Sequence, residues 1–156
     1  MRTPRRSILK KMMASLAGVA GLGTVARANT SAASSSEKEV FNANPQPDQE
    51  IPLFSGAVKQ GGFVFIAGKG AHFEGDIKAH TKHVLEELKK ELENAGSSME
   101  KVVKVNVYLA DLADYKAMNE VYQGSFGSKP PVRTTVAVYG GVPGDSLVEI
   151  DCIAAV

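Results

Sequence analysis

Arg133 and Glu149 are the two residues whose chemistry and spacing could act together on a small anionic molecule. Arg133 is the only arginine after residue 28, and its planar guanidinium suits a bidentate grip on a carboxylate better than a lysine would. Glu149 lies on the next predicted strand, where a carboxylate could hold or deprotonate a water molecule. An ion pair between neighbouring strands, or across a subunit contact, explains the same two residues without any ligand.

Five predicted strands and two predicted helices position these residues. Apolar residues recur with helical period from Ile77, where Asp76 is suited to cap the helix and Gly96 to end it. A second helix is expected over 112–126. Strands are expected over 57–59, 63–67, 102–109, 133–139 and 147–155, the first two joined by a Gly61-Gly62 turn. The order β-β-α-β-α-β-β predicts an α+β fold, a single mixed sheet with both helices on one face.

Alternation along the last strand assigns side chains to the two faces of this sheet. We expect Glu149 and Asp151 on the helix-free face, and beneath the helices Val148, Ile150, Cys152 and Ala154. We take the last two predicted strands as hairpin partners. The same alternation then places Arg133, Thr135 and Ala137 on the helix-free face, beside Lys104, Asn106 and Tyr108 of the third strand. A sheet face that is partly apolar and uncovered favours self-association.

The first 28 residues have the composition of an export signal. They contain six basic residues and no acidic one, then a mildly apolar stretch and Ala26-Arg27-Ala28, whose small residues suit a signal peptidase. Arg5-Arg6 and the residues that follow resemble a twin-arginine signal. We therefore expect a periplasmic or otherwise exported protein with no membrane attachment after cleavage. An uncleaved anchor is the alternative, although a spanning helix needs about 20 strongly apolar residues.

Beyond this leader the chain is acidic, with 12 basic and 17 acidic side chains, which disfavours nucleic-acid binding. Its single cysteine excludes an intramolecular disulfide and a multi-cysteine metal site. Residues 29–52 are expected to form a flexible linker and an extended arm, and residues 53–156 one domain. His80, His83 and Glu87 share an edge of the first helix but match no metal motif, so we expect a solvated helix shoulder and no metal.

Two segments near the C-terminus resemble the signature of the RidA (YjgF) family. They are Pro130-Pro131-Val132-Arg133-Thr134-Thr135-Val136 and Leu147-Val148-Glu149-Ile150-Asp151-Cys152-Ile153-Ala154. Three earlier segments resemble the same family: Gly96-Ser97-Ser98, Val102-Val103-Lys104-Val105 and Met118-Asn119-Glu120-Val121-Tyr122. The resemblance covers residues 53–156 with matching spacing. It implies a chorismate-mutase-like fold assembled as a homotrimer, with three ligand clefts between subunits.

The resemblance also implies a reaction. Members of the RidA type hydrolyse 2-imino acids, tautomers of enamines, to 2-keto acids and ammonia without a cofactor. An imine carbon is already electrophilic, so orientation and a well-placed water are the main requirements. By this resemblance Arg133 binds the substrate carboxylate and Glu149 positions the hydrolytic water. The other cleft residues that it implies are Phe54, Ala67, Gly68, Asn119 and Thr135.

Three positions depart from the family pattern. Phe54 stands where a tyrosine is common, Ala67 where a serine is usual and Thr135 where a cysteine is common, so two cleft hydroxyls are lost. These changes leave the expected carboxylate grip and the water-holding glutamate in place. An alternative function is a non-catalytic trimeric module that binds small carboxylates or another protein, which would need Arg133 but not Glu149. Asn119 could equally be an amide on the helix surface.

Overall fold

A computed structural model describes residues 37–43 and 50–156 of the chain. Its elements are the strands β1 Glu39–Ala43, β2 Ser55–Gln60, β3 Phe63–Lys69, β4 Val102–Leu109, β5 Val132–Ala137 and β6 Val148–Ala155, and the helices α1 Ile77–Asn94 and α2 Tyr115–Tyr122. The predicted α+β fold, a single mixed sheet with two helices, is confirmed. The predicted export signal, residues 1–28, lies outside the described residues, as do 29–36 and 44–49 of the predicted linker and arm.

The long helix α1 begins and ends where the sequence predicts. The Asp76 carboxylate accepts a hydrogen bond from the Ala79 amide at 2.8 Å and so satisfies one of the unpaired donors of the first turn. Gly96, with φ of +80°, turns the chain out of the helix in a left-handed conformation that glycine adopts without strain. The apolar stripe of α1 packs Val84, Leu88 and Leu92 against the sheet with no exposed surface.

Helix α2 is shorter than the predicted 112–126. A 3-10 turn over Leu112–Asp114 precedes it, and the chain leaves the helix at Gln123. Gly124 and Gly127 then adopt positive φ values of +83° and +75°, which continue the chain as tight turns and not as a helix. The early end of α2 leaves space between its last turn and the edge of the sheet.

The order of the strands differs from the predicted hairpin of β5 and β6. The sheet runs β1-β2-β3-β6-β4-β5, so β4 lies between the two strands that carry Arg133 and Glu149. Strand β5 pairs with β4 in parallel, and β6 pairs with β4 in antiparallel orientation. The physical reason is the connection, since β4 and β5 are joined through α2 and a helical crossover is what parallel neighbours require.

The N-terminal strand β1 adds an edge strand in the stretch expected to be linker and arm. It pairs with β2 in antiparallel register, with Val40 opposite Val58. The Gly61-Gly62 turn between β2 and β3 is confirmed, since both residues have positive φ. The core lies between the sheet and the two helices, and Val148, Ile150, Cys152 and Ala154 are buried there as predicted. In the described part of the chain no helix has the length and apolar character needed to cross a membrane.

The buried Cys152 predicts a loss of stability at alkaline pH. Burial raises the pKa of this thiol from 9.0 to about 12, so the unfolded chain loses its proton first and is favoured as pH rises. We expect the free energy of unfolding to fall between pH 9 and 12, with a slope of up to about 1.4 kcal/mol per pH unit from this group. Urea unfolding of wild type and Cys152→Ala at several pH values should show a shallower slope in the variant. Equal slopes would contradict the prediction.

Candidate functional site

Arg133 projects to the helix side of the sheet. In the parallel register Arg133 lies beside Val105 and Thr135 beside Val107, and both valines belong to the core. Residues that are neighbours across a ladder share a face, so the predicted placement of Arg133, Thr135 and Ala137 on the helix-free face is wrong. The assignment failed because it assumed β6 as the partner of β5. The residues of β5 on the helix-free face are Val132, Thr134 and Val136, where Thr134 accepts a hydrogen bond from Lys104.

The Arg133 guanidinium is held by three uncharged side chains of α2. One terminal nitrogen, Nη1, donates to the Asn119 Oδ1 at 2.8 Å, and Nη2 donates to the Tyr115 hydroxyl at 3.3 Å. The guanidinium carbon lies over the Tyr122 ring, 4.6 Å from its centroid, in a cation–π contact. Arg133 makes no ion pair with any described carboxylate, so its positive charge is oriented but not neutralised.

A cleft of about 520 Å³ opens beside this guanidinium. We call it the Arg133 cleft, and its lining also includes Asn119, Tyr122, Gln123, Gly124, Phe126, Gly127 and Pro130. The cleft exists because α2 ends at Tyr122 and the glycine turns carry the chain away from the sheet edge. An open cleft with one uncompensated cation in its wall favours an anionic ligand.

Two buried hydroxyls on this side of the sheet find no hydrogen-bond partner among the described residues, those of Tyr122 and Thr135. Burial raises the pKa of the Tyr122 phenol because the phenolate would be poorly solvated, and the positive charge of Arg133 offsets part of that rise. Arg133 contacts the face of the Tyr122 ring. We therefore expect the ring to make the main contribution of Tyr122 to holding the guanidinium.

Glu149 projects to the opposite, helix-free face. It lies beside Tyr108 in the antiparallel register with β4, and its carboxylate packs over Gly68, where a methyl group would overlap it. A cavity of about 160 Å³, here called the Glu149 cavity, is lined by this carboxylate together with Tyr108, Val138, Gly141, Val142 and Pro143. Within residues 37–43 and 50–156, nothing donates a hydrogen bond to Glu149 or forms an ion pair with it.

Asp151, the other carboxylate of β6 on this face, has a hydrogen-bond partner on each oxygen. Its two oxygens accept hydrogen bonds from the Asn106 amide at 2.9 Å and from the Tyr108 hydroxyl at 3.0 Å. Burial and this hydrogen bond raise the pKa of Tyr108, so the phenol stays protonated and remains a donor. The two acids therefore differ in their contacts. Asp151 accepts hydrogen bonds from neighbouring side chains, whereas the Glu149 carboxylate remains available to a ligand or a water molecule.

The other predicted site residues divide between the two faces. Asn119 contacts Arg133 and is therefore not a bare surface amide. Thr135 lies on the helix side with Arg133, while Ala67 and Gly68 lie with Glu149 on the helix-free side. Phe54 precedes β2, is 51% exposed and lines neither the Arg133 cleft nor the Glu149 cavity. Lys69 points away from Glu149 and pairs with Glu91 at 2.9 Å beneath α1.

The expected solvated histidine shoulder on α1 is only partly correct, since His80 is buried. One ring nitrogen of His80 contacts the Phe73 carbonyl at 2.9 Å, and the other accepts from the Leu147 amide at 3.1 Å. This ring fastens the loop after β3 to the chain two residues before Glu149. Over the described residues no cluster of histidine, cysteine and acidic side chains is arranged to hold a metal ion.

Three tyrosines border the candidate site although sequence reasoning did not select them as site residues. Tyr115 and Tyr122 contact Arg133, and Tyr108 borders Glu149. A usable signal for the first two is their spacing, since Tyr115, Asn119 and Tyr122 form one stripe of polar-tipped side chains on α2. This spacing indicates an Arg133 site only when β5 is known to lie beside these three side chains.

The two charged residues with catalytic potential thus lie on opposite faces of one sheet, each without a charged partner among the described residues. The side chains point away from each other across the sheet. A single copy of the fold cannot close them around one small ligand through its own sheet. Each copy instead presents two candidate half-sites, the Arg133 cleft on one face and the unpaired Glu149 carboxylate on the other.

Comparisons with known proteins agree in family and fold. Residues 45–156 match the family described as Endoribonuclease L-PSP. A RutC family protein of Pyrococcus abyssi is 44% identical over 124 residues, which are 75% of this chain and 96% of that protein. The Reactive Intermediate Deaminase A of Arabidopsis thaliana chloroplasts is 34% identical over 129 residues, covering 78% of this chain and 68% of that protein.

A solved structure shows the same architecture. The crystal structure of YyfA from Yersinia pestis, a protein of unknown function in the conserved Rid protein family, superimposes with a TM-score of 0.68 at 29% identity. The match covers 77% of this chain and all of the Yersinia chain. The six-stranded sheet with two helices is therefore the arrangement shared with this group of proteins.

The unpartnered hydroxyl of Tyr122 predicts that Tyr122→Phe is stable. The variant keeps the ring beneath Arg133 and removes a buried polar group, so we expect a free energy of unfolding equal to wild type or up to about 1 kcal/mol higher. Tyr122→Leu, which removes the ring, should lose about 1–3 kcal/mol. Urea unfolding checks both values. A loss of more than about 1 kcal/mol in Tyr122→Phe would mean that the hydroxyl has a stabilising partner.

Proposed function

We propose that this chain, which belongs to the RidA/YjgF family, is a deaminase that hydrolyses 2-imino acids and their enamine tautomers to 2-keto acids and ammonia. Family membership rests on the match over residues 45–156 and on the relatives of similar sequence and fold. One observation carries the proposed activity: the only arginine of the described residues is oriented by neutral groups in an open cleft and lacks a carboxylate partner.

Arg133 is suited to bind the substrate carboxylate. Of its five N–H groups, two are used by Asn119 and Tyr115, which leaves three for a ligand. A bidentate pair of hydrogen bonds to a carboxylate would fix the rest of a small substrate relative to the protein. Fixing the reacting carbon in this way is the larger part of what catalysis of an intrinsically fast reaction requires.

Glu149 is suited to hold the attacking water. Water adds through its oxygen to the imine carbon, and a proton is transferred to the imine nitrogen to give a carbinolamine. The carbon–nitrogen bond of that intermediate then breaks, releasing ammonia as the hydroxyl proton is lost and the 2-keto acid forms. A carboxylate that accepts a hydrogen bond from the water directs its lone pair and takes up the proton. No covalent nucleophile or cofactor is needed for these steps.

The opposed orientations favour a site shared between copies of the chain. We propose a homotrimer in which the Arg133 cleft of one copy meets the Glu149 cavity of another. Exposed apolar side chains on the helix-free face support a second copy as the occupant of that face, among them Phe63, Phe65, Val132 and Val136. A head-to-tail contact of two different surfaces closes into a ring when the rotation permits, which is consistent with three equivalent sites.

We expect the wild-type protein to hydrolyse iminopropanoate. Iminopropanoate is generated from alanine by an amino-acid oxidase and trapped with semicarbazide, and wild type should slow semicarbazone formation by hydrolysing the imine first. Arg133→Ala should abolish this effect, and Glu149→Gln should reduce kcat about a hundredfold, the usual contribution of a general base. Competition that survives Glu149→Gln but not Arg133→Ala would instead identify a carboxylate-binding module without turnover. An inactive wild type would overturn the deaminase proposal.

Subunit mixing separates a shared site from a site within one chain. Arg133→Ala and Glu149→Gln subunits, expected to have at most about 1% of wild-type activity alone, are unfolded together and refolded as mixed oligomers. If each site takes its arginine and glutamate from different copies, about a quarter of the sites regain both residues, and activity returns to about 25% of wild type. If both residues come from one chain, no mixed site is complete and the mixture stays inactive. Light scattering of the mixture checks that its assembly matches wild type.

The close approach of Gly68 and Glu149 gives a third test. Gly68 has an ordinary backbone conformation, so alanine fits the backbone, but its methyl group would displace the Glu149 carboxylate. We expect Gly68→Ala to lower kcat at least about tenfold, through loss of the positioned base, with a free energy of unfolding within about 1 kcal/mol of wild type, since the displaced group is a flexible side chain. Gly70→Ala, whose methyl would make ordinary contacts, is the matched control and should keep full activity. Equal activity of the two variants would contradict the role of Glu149.

A further inference from the structure

We propose that Tyr115 is a positioning residue that orients the Arg133 guanidinium for carboxylate binding; this inference rests on the proposed function. Its hydroxyl accepts a hydrogen bond from Nη2 of Arg133 at 3.3 Å, and its ring centroid lies 5.8 Å from the guanidinium carbon. In the described part of the chain the Tyr115 side chain makes no other hydrogen bond. Tyr115 is 40% exposed, so its ring is not a core residue retained for packing alone.

Two anchors are needed to hold a guanidinium in one plane. A single hydrogen bond, such as that from Nη1 to Asn119, leaves the group free to rotate about its bonds. A second hydrogen bond at the other terminal nitrogen, from Nη2 to Tyr115, prevents that rotation. The Tyr122 ring then sets the depth of the group by contact with its face. Because a bidentate grip depends on the direction of two parallel N–H bonds, a fixed plane improves binding.

Both hydrogen-bonding anchors of Arg133 are electrically neutral. A carboxylate in place of Tyr115 would hold Arg133 more strongly but would neutralise the charge that the ligand needs. A phenol accepts a hydrogen bond and leaves the positive charge intact. Tyr115 therefore orients the Arg133 guanidinium without neutralising its positive charge. The Asn119 amide does the same at the other terminal nitrogen.

The local fold explains why Tyr115 is available at this point. The Asp111 carboxylate accepts a hydrogen bond from the Ala113 amide at 2.8 Å and builds the 3-10 turn that precedes α2. That turn makes Tyr115 the first residue of α2, one helical turn before Asn119. Side chains four residues apart project from the same face of a helix, so both reach the single arginine on β5.

The test uses Tyr115→Phe, which keeps the ring and removes the hydroxyl, in the full chain. The ¹⁵N resonances of the Arg133 side chain, identified by their loss in Arg133→Lys, report rotation of the guanidinium. Wild type should show separate, slowly exchanging Nη signals, and Tyr115→Phe should show exchange-averaged ones. The dissociation constant for pyruvate, used as a carboxylate probe, should rise about threefold to tenfold, as expected for losing one hydrogen bond at a charged group. In the imine assay KM should rise while kcat stays within about twofold of wild type.

Tyr139→Phe is the matched control, because Tyr139 is fully exposed and outside both the Arg133 cleft and the Glu149 cavity. It should leave the Arg133 resonances, the pyruvate affinity and the activity unchanged. Arg133 signals and pyruvate affinity in Tyr115→Phe equal to wild type would overturn the inference. Pyruvate binding that depends on Tyr115, in a protein without imine turnover, would overturn the proposed deaminase activity and leave the inference standing. A wild type that binds no pyruvate would overturn the inference, whereas the deaminase proposal is decided by the imine assay alone.

Discussion

The parallel pairing of β5 with β4 is the constraint on which the arrangement of the site depends. It puts β5 at the edge of the sheet and turns Arg133 toward the helices, in register with the buried Val105. An arginine under a helical layer would be costly if it were enclosed and unpaired. The early end of α2 prevents that cost, since the glycine turns after Tyr122 leave a cleft that exposes part of the guanidinium. The edge position and the short helix together make the Arg133 cation accessible on the helix side of the sheet.

On the helix-free face, most polar side chains form hydrogen bonds with one another, and the Glu149 carboxylate takes no part in them. Asp151 accepts hydrogen bonds from Asn106 and Tyr108, and Lys104 donates one to Thr134. Glu149 stands outside this network, over a glycine that leaves room for its carboxylate. The two half-sites are thus built by opposite means: Arg133 is fixed by neutral partners, while Glu149 is left open because its neighbour takes the available donors. In the proposed trimer, the Arg133 guanidinium and the Glu149 carboxylate would each face the opposite charge of another copy.

The order of the elements, most of their bounds and most members of the core could be predicted from the sequence. Asp76 and Gly96 mark the ends of α1 through capping and a left-handed turn, which are local effects. The burial of Val148, Ile150, Cys152 and Ala154 also follows from strict alternation in a strongly apolar strand. Strand β1 was not predicted, because an edge strand of five residues with polar neighbours has little pattern of its own. The end of α2 was placed too late, because its apolar residues continue past the point where the glycines turn the chain.

The identities of the two charged residues that could carry chemistry were determined by the sequence alone, since a lone arginine and an acid on an alternating strand are local facts. Which way each side chain points was decided only by the tertiary structure. Alternation states which residues of a strand share a face, but it does not state which face meets the core. In β5 the more apolar set, Val132, Thr134 and Val136, lies on the helix-free face, so the composition of this strand favours the wrong orientation. The register with β4, set by the crossover through α2, makes the choice, because side-by-side residues of neighbouring strands must project together.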